Sequence, residues 1–273
     1  MLEHSEHGPA DAPSVVLLHG AGASGWTWRP VVERLAGYHC LVPDLPEHGR
    51  SLAVAPFTIP DAASRLAAMI RDRAHGGRAH VVGLSLGGQV ALQLAATAPE
   101  RVTRLLVSGV ALHPAPIAGW MRQPLGRRAV EALLNAYWPW RMAPALLRAN
   151  MRGFDVPAEF APEFAADTRA MSAEAMVRIV FDESQGFTLP RALESLSIPL
   201  LALAGEREDS IVHRSAAELI ARLPAATGGI VPGVGHNWPL EAPERFVEVL
   251  TAWLTGGAPA GLTPFDDAAR SAT

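Results

Sequence analysis

The sequence predicts an α/β fold: a mainly parallel, doubly wound sheet with helices on both of its faces. Short apolar runs alternate with helical patterns along most of the chain, and one run leads through a glycine-rich turn directly into a helix. Hydrophobic residues make up 49% of the 273 residues, which is enough for a large buried core. Alternation of this kind is typical of sheets whose parallel strands are connected by helices.

Each predicted strand is a short apolar run that ends at a turn. In chain order, the predicted strands cover residues 14–18, 40–42, 79–84, 102–107, 200–204 and, with the weakest pattern, 229–231. The predicted helices cover residues 61–73, 89–98, 214–223 and 243–254. Pro60 and Pro243 stand near two of the helix starts, where a residue without an amide hydrogen is tolerated.

Residues 113–190 interrupt this alternation. They contain few strand-like runs and many helix formers, which are interrupted by Pro114, Pro116, Pro124, Pro139, Pro144, Pro157 and Pro162. We therefore predict a core domain formed by residues 1–112 and 191–255, with a helical cap inserted at 113–190. Residues 256–273 are rich in Gly, Ala and Pro and are predicted to form a flexible tail.

The composition argues against several classes of protein. A formal net charge of −4 disfavours a nucleic-acid-binding protein, which needs an excess of basic residues on one face. No apolar stretch reaches the ~18–20 residues of a membrane-spanning helix, and the first dozen residues do not resemble a secretory signal. Cys40 is the only cysteine, which fits a reducing cytoplasm. The expected partner is a small-molecule substrate, and no oligomeric state is favoured.

The strongest single feature is the pattern Gly83-Leu84-Ser85-Leu86-Gly87. It follows a predicted buried strand and opens a predicted helix. A strand-to-helix turn this tight strains its central residue, and small residues on either side let the strand and the helix approach closely. The turn therefore exposes the Ser85 hydroxyl at the carboxyl edge of the sheet, where α/β folds place their sites. Ser85 is the candidate nucleophile.

A serine hydroxyl is a weak nucleophile and needs a neighbouring base. His236 lies in a loop, residues 232–239, between the last strand and the last helix, with glycines before it that let the backbone bring the imidazole over the sheet edge. His4 and His7 are expected in a loose terminus. No H-E-x-x-H or Cys/His spacing indicates a metal, and we predict no metal and no cofactor.

Two further elements would complete such a site. A carboxylate is needed to orient the imidazole, and the predicted strand 200–204 runs into three acids, Glu206, Glu208 and Asp209. The glycine-rich turn after the strand 14–18 can fold over the site. The amides of Ala21 and Leu86 are then the natural donors of an oxyanion hole.

Together these residues resemble the α/β-hydrolase family. The resemblance rests on four motifs in the family's order: residues 15–20 look like its oxyanion strand, 44–51 like its D-x-x-G-H-G-x-S turn with Glu47 where a glycine is usual, 83–88 like its nucleophile turn and 233–236 like its histidine loop. It implies that residues 113–190 cap the pocket and that the first strand is shortened or missing. It also implies that Asp44, His48 and Ser51 are structural.

The resemblance also selects among the acids. The family usually carries its acid three residues after the glycine that ends the strand, which here is Glu208, so Glu208 is favoured and Asp209 is the alternative. Glu206 is expected to point away from the histidine. The implied activity is a serine hydrolase that cleaves carboxylic esters of small to medium apolar substrates. Carbon–carbon bond hydrolysis of diketones, lactone opening, perhydrolysis and non-catalytic ligand binding remain alternatives.

The cap is expected to supply an apolar pocket. The candidates to line this pocket are Trp120, Trp138, Trp140, Met142, Met151, Phe154 and Phe164, of which more than half are expected to pack within the protein rather than against a substrate. Arg122, Arg127, Arg128 and Arg148 are interpreted as solvated cap residues rather than as readers of a carboxylate.

Overall fold

The computed structural model describes residues 2–114, 118–121 and 123–265. The strands of this part of the chain are β1 (His4–His7), β2 (Ser14–Leu18), β3 (His39–Pro43), β4 (Ala79–Leu84), β5 (Val102–Ser108), β6 (Leu200–Gly205) and β7 (Ala226–Val231). They form one sheet in the order β1-β3-β2-β4-β5-β6-β7. Only β1 and β3 pair antiparallel, and every other neighbouring pair is parallel. The mainly parallel sheet is therefore confirmed.

The helices connect these strands or precede the chain's end. They are α1 (Arg29–Val32), α2 (Ile59–Arg73), α3 (Leu86–Thr97), α4 (Ala118–Met121), α5 (Pro124–Tyr137), α6 (Pro144–Gly153), α7 (Ala161–Ala170), α8 (Ala173–Val177), α9 (Ser210–Arg222), α10 (Trp238–Glu241) and α11 (Pro243–Leu254). A π-helical segment, Arg178–Ser184, continues α8.

Alternate residues of the central strands pack on opposite faces of the sheet. Val16 and Leu18 of β2 belong to the larger core, together with apolar residues of α2, α3 and α9. Val15 and Leu17 belong to a second core that includes apolar residues of α11. Because side chains alternate along a strand, helices on both faces bury both rows, as in a doubly wound sheet.

The predicted strands 14–18 and 79–84 have the bounds that the structure gives them, and so has the helix 243–254. The largest difference among the predicted helices is α9, which begins at Ser210, four residues before the predicted start at 214. Among the predicted strands it is β7, which begins three residues before the predicted start at 229. The glycines of β7 weaken its strand pattern in the sequence. A glycine is nevertheless required at Gly228, because a β-carbon there would lie 1.8 Å from the Ala202 carbonyl oxygen of β6. The helix expected at 89–98 begins at Leu86, because it starts directly after the Ser85 turn.

The amino-terminal strand corrects an expectation. It is short but present: β1 pairs with β3 in the register His4↔Pro43 and His7↔Cys40. His4 and His7 therefore lie in the sheet and not in a loose terminus. The sequence of β1, His-Ser-Glu-His, hides the strand because it has no apolar residue, and a short polar strand is a common way to protect a sheet edge.

The cap segment (residues 113–190) contains α4 to α8 and no strand in its described residues. Hydrogen bonds tie it to the core from several sides. They join Trp26 to Asp167 at 2.7 Å, Arg29 to Glu163 at 2.7 Å, the Ile59 amide to Glu183 at 2.8 Å and Asn237 to the Phe154 carbonyl at 2.5 Å. The division of the chain into a core and a cap domain stays a prediction.

The end of the described chain is anchored, in contrast to the flexible tail expected for residues 256–273. Thr263 pairs with Ile230 of β7, and Phe265 is buried. Its ring lies 6.2 Å from that of His213. Residues 266–273 lie outside the described residues.

Candidate active site

Ser85 occupies the sharp turn between β4 and α3. Its backbone has φ 54° and ψ −118°, a conformation that a non-glycine residue adopts only at a cost. The flanking glycines permit this turn, because a β-carbon at Gly83 would lie 2.4 Å from the Gly87 carbonyl oxygen. The Ser85 amide donates to the Ser108 carbonyl at 2.8 Å, which fixes the turn against β5.

A cavity of about 550 Å³ opens over this turn. Ser85, Ala21 and His236 line it from the core, and side chains of α5, α6, α7 and the π-helical segment line it from the cap segment. No hydrogen bond joins the Ser85 hydroxyl to the His236 ring in the described structure. Bonds of this kind are often long or misaligned before substrate binds.

Glu208 contacts His236 directly. Its Oε1 lies 2.5 Å from His236 Nδ1, and its Oε2 accepts the Gly205 amide at 2.7 Å. The Glu208 side chain is only 2% exposed. With Nδ1 bound to the carboxylate, His236 Nε2 is the nitrogen left to act as a base.

The other two acids lie elsewhere. Asp209 is exposed at the start of α9, and Glu206 accepts the Gly233 amide at 2.7 Å. The structure therefore brings Glu208, and neither Asp209 nor Glu206, against the histidine.

Gly109 completes the packing around this pair. It has φ +68°, and a β-carbon on it would lie 2.7 Å from His236 Cε1 and 3.0 Å from Glu208 Oε1. No local pattern indicates this position, because the contact forms between the end of β5 and two distant loops.

The two expected oxyanion donors also lie close to the serine. Ala21 lines the cavity, and a β-carbon on the preceding Gly20 would lie 3.5 Å from Ser85 Cβ. Leu86 is the first residue of α3, where amides have no partner within the helix. Within residues 2–114 neither amide donates a hydrogen bond. Both remain available to an oxygen atom beside Ser85.

His19 connects the glycine-rich turn after β2 to the end of β3. Its Nδ1 donates to the Gly20 carbonyl at 2.8 Å, and its Nε2 accepts the Leu45 amide at 2.9 Å, so the ring is held neutral. Burial lowers the pKa of His19. Burial lowers the pKa of His48 to about 3.

Asp44 fixes the turn after β3. It accepts the Gly25 amide at 2.8 Å, and the amide and Nε of Arg50 at 3.0 and 2.8 Å. Burial alone would raise its pKa, but these hydrogen bonds outweigh burial and hold the pKa of Asp44 below its usual value. Asp44 and His48 do not line the cavity, and the Ser51 hydroxyl accepts the Glu3 amide at 3.0 Å.

Glu47 makes contacts that the glycine expected at its position could not make. Its φ is 60°, and its buried carboxylate accepts the Phe57 amide at 2.7 Å. The same carboxylate pairs with Arg178 of the cap segment at 2.5 Å. Glu47, which stands where the motif usually has a glycine, therefore links the core to the cap segment.

Fewer than half of the seven cap residues line the cavity, as expected, but the others do not all pack within the protein, because Trp120 and Trp140 are exposed. Trp138, Phe154 and Phe164 line the cavity, whereas Trp120, Trp140, Met142 and Met151 do not. Arg127, Arg128 and Arg148 also lie outside it, and Arg122 falls outside the described residues. Sequence reasoning missed Arg141, which does line the cavity. Nothing in its local sequence distinguishes it from the other cap arginines.

No cluster of three or more His, Cys, Asp or Glu side chains suited to a metal ion occurs among residues 2–114, 118–121 and 123–265. In the same residues, no helix has both the length and the apolar character needed to cross a membrane.

Comparisons with known proteins agree with this architecture. The sequence pattern of the "Alpha/beta hydrolase family" matches residues 15–249. An "AB hydrolase superfamily protein" of Gibberella zeae is 30% identical over 92% of this chain and 83% of its own length. A pimeloyl-[acyl-carrier protein] methyl ester esterase of Aeromonas salmonicida is 28% identical over 87% of this chain and 94% of its own. The crystal structure of a hydrolase from Pseudomonas aeruginosa shares the fold with a TM-score of 0.70, at 23% identity over 92% and 93% of the two chains.

Proposed function

Because this chain belongs to the alpha/beta hydrolase family, we propose that it is a serine hydrolase that cleaves carboxylic esters through an acyl-enzyme intermediate. One observation carries the proposal. The strained Ser85 turn and His236 line the same cavity, and the imidazole is fixed from behind by Glu208, 2.5 Å from Nδ1. A nucleophile, a base and an orienting acid in this order are the parts that acyl transfer requires.

In the first half-reaction, His236 Nε2 takes the proton of the Ser85 hydroxyl as its oxygen attacks the ester carbonyl. The amides of Ala21 and Leu86 donate to the oxyanion that forms, and Glu208 stabilises the imidazolium. The imidazolium then gives its proton to the leaving alcohol, which leaves an acyl group on Ser85. In the second half-reaction, His236 activates a water molecule that releases the acid.

The cavity favours an apolar substrate of small to medium size. Most of the cap residues that line it are apolar or aromatic, among them Leu134, Trp138, Phe164 and Met176. A volume of about 550 Å³ lies within the usual range for small-molecule sites. The esterase among the relatives of this chain supports an ester as the bond that is cleaved.

A chain-length series of p-nitrophenyl esters, assayed with the parent and with Ser85→Ala and His236→Ala, tests this proposal. We expect turnover by the parent and a loss of about 10⁴-fold or more in kcat for both variants. Intact-mass measurement after treatment with a fluorophosphonate should show one adduct on the parent and none on Ser85→Ala. Ser195→Ala and His75→Ala, at exposed positions that do not line the cavity, are the matched controls.

Each alternative predicts a different result. A parent that is inactive on every ester but cleaves a diketone or a lactone retains the serine mechanism and contradicts the ester substrate. A parent that binds a ligand without turnover, unchanged by Ser85→Ala, supports a non-catalytic binding protein. Equal activity of the parent and Ser85→Ala contradicts the whole proposal.

A further inference from the structure

Arg141 is the only Lys or Arg among the described residues that line the cavity. It directly follows the turn Trp138–Trp140, at the end of α5. The cavity wall around it is mainly apolar. A guanidinium in such a wall keeps its charge at neutral pH, so it requires a compensating partner.

The guanidinium is held in one orientation by backbone carbonyls. Its Nε donates to Thr168 at 3.0 Å, its Nη2 donates to Arg169 at 3.1 Å, and its Nη1 donates to Trp138. The group also lies over the Trp138 ring, 4.7 Å from the ring centroid. A guanidinium has five N–H groups, so these bonds leave about two of them for a ligand.

No carboxylate of the described residues neutralises this charge. Among the described residues, no carboxylate oxygen lies within 4.0 Å of a guanidinium nitrogen of Arg141. The one acid that lines the same cavity, Asp167, accepts the Trp26 indole N–H at 2.7 Å instead. Desolvation by burial lowers the pKa of Arg141, as expected for a cation that lacks an opposite charge.

A second donor belongs to Tyr137, which lines the same cavity and interacts electrostatically with Arg141. The Tyr137 hydroxyl oxygen accepts the Asn150 amide at 2.6 Å. This bond uses a lone pair of the hydroxyl and leaves its hydrogen to be donated. Two orientated donors, one of them charged, suit a planar anion such as a carboxylate.

We propose that Arg141, assisted by Tyr137, binds a carboxylate carried by the substrate, so that the preferred esters are half-esters of dicarboxylic acids. The ester carbonyl lies at Ser85, the free carboxylate lies at Arg141, and the apolar wall of the cavity contacts the carbon chain between them. This inference rests on the proposed esterase function, because it places the scissile bond at Ser85. It adds a requirement for an anion that an apolar cavity alone does not impose.

Binding to a Ser85→Ala protein tests the inference separately from turnover. Monomethyl esters of linear dicarboxylic acids with four to eight carbons are titrated by calorimetry, each beside its dimethyl ester. We expect the best half-ester to bind at least ~10-fold more tightly than its diester, since a desolvated ion pair with a fixed arginine contributes about that much or more. The preference should shrink as ionic strength rises.

The same titrations are repeated with Arg141→Met and Arg141→Lys in the Ser85→Ala background. We expect Arg141→Met to abolish the preference for the half-ester and to leave diester affinity within about 2-fold, and Arg141→Lys to restore part of it. Arg148→Met, which removes an exposed cap arginine outside the cavity, should keep the full preference.

Two results would overturn the inference. One is that the Ser85→Ala protein binds the half-ester and the diester equally tightly. This result can be interpreted without any arginine variant. The other is a preference that survives in a folded Arg141→Met protein. Inactivity of the parent on esters would overturn the proposed function instead, because these titrations measure binding alone.

Discussion

Glu208 binds His236 through one carboxylate oxygen and the backbone of its own turn through the other. Oε1 lies 2.5 Å from His236 Nδ1, and Oε2 lies 2.7 Å from the Gly205 amide. The second bond fixes the carboxylate plane, so the position of the imidazole depends on a side chain that cannot rotate freely. Glu208 lies three residues beyond the end of β6, and its side chain is 2% exposed.

Glu208→Gln should lower kcat by about 10³–10⁴-fold with a small effect on stability, because an amide preserves the shape but cannot stabilise an imidazolium or fix its tautomer. Asp209→Asn, one residue away and exposed, should keep activity within about 2-fold. Steady-state kinetics on a p-nitrophenyl ester, with the melting temperature of each variant, provide the comparison. A larger loss in Asp209→Asn than in Glu208→Gln would assign the acid to Asp209.

Gly109→Ala should lower activity through a steric clash, without removing any reacting group. The new methyl group would lie 2.7 Å from His236 Cε1, so the ring and Glu208 would have to move. Displacements of about 1 Å in a catalytic group can cost ~10²-fold in rate. We expect a loss of at least ~10-fold in kcat.

Gly37→Ala is the matched control for this variant. Gly37 also has a positive φ, +86°, but a β-carbon there meets nothing within 4 Å. Both variants should lose about 1 kcal/mol of unfolding free energy from backbone strain. Only Gly109→Ala should lose activity, and equal activities in the two variants would contradict the contact argument.

The link between Glu47 and Arg178 should contribute to stability across the core and the cap segment. Glu47→Gly relieves the positive φ but removes the acceptor of the buried Phe57 amide and the partner of Arg178. Since an unsatisfied buried donor costs more than such strain recovers, we expect a loss of about 1–3 kcal/mol in the free energy of unfolding. Urea titration measures it.

A second pair tests whether the effect comes from burial. Glu174 also faces Arg178, at 3.7 Å, but its side chain is 88% exposed. Glu174→Gln should therefore change the free energy of unfolding by less than about 0.5 kcal/mol. If Glu47→Gly is as stable as the parent, the carboxylate at this position has no role in holding the cap segment.

The sequence predicted the features that depend on neighbouring residues and missed those that depend on residues far apart in the chain. The Ser85 turn is encoded within five residues, so both the strand before it and the strain in it could be predicted. Glu208 was favoured over Asp209 only through the family resemblance, because it stands where the family usually carries its acid, three residues after Gly205. The anchoring of Phe265 and the cavity position of Arg141 depend on residues far away in the chain, and no local pattern reports them.

The strand β1 illustrates a different limit. Its four residues are polar, and the strand exists because β3 offers a free edge to which they hydrogen-bond. Hydrophobic alternation, the main signal for a strand, is absent there. Because a strand of this kind forms only where a partner strand is available, sequence reasoning placed His4 and His7 in a loose terminus.

His48 should make the protein less stable in mild acid. Its pKa is about 3 in the folded state, lowered by burial, against an ordinary value of 6.5. As the pH falls through 6.5, the unfolded chain binds a proton at this residue and the folded chain does not. The free energy of unfolding therefore falls between about pH 6.5 and pH 3, by roughly 3 kcal/mol at a pH two units below 6.5. Above pH 6.5 this contribution is constant.

His48→Asn separates this effect from other acid-sensitive groups. The asparagine amide can replace the bond that His48 Nδ1 makes to the Pro46 carbonyl at 2.8 Å, but it does not titrate. We expect lower stability than the parent at pH 7.5, because the smaller side chain leaves a void, and a shallower decline towards pH 4.5. His19 keeps a residual slope, since its lowered pKa acts in the same direction. Urea midpoints at pH 7.5, 6.0 and 4.5 measure how stability changes with pH in the parent and in His48→Asn, with exposed His75→Asn as the control. If stability declines equally in the parent and in His48→Asn, His48 is not the group that titrates.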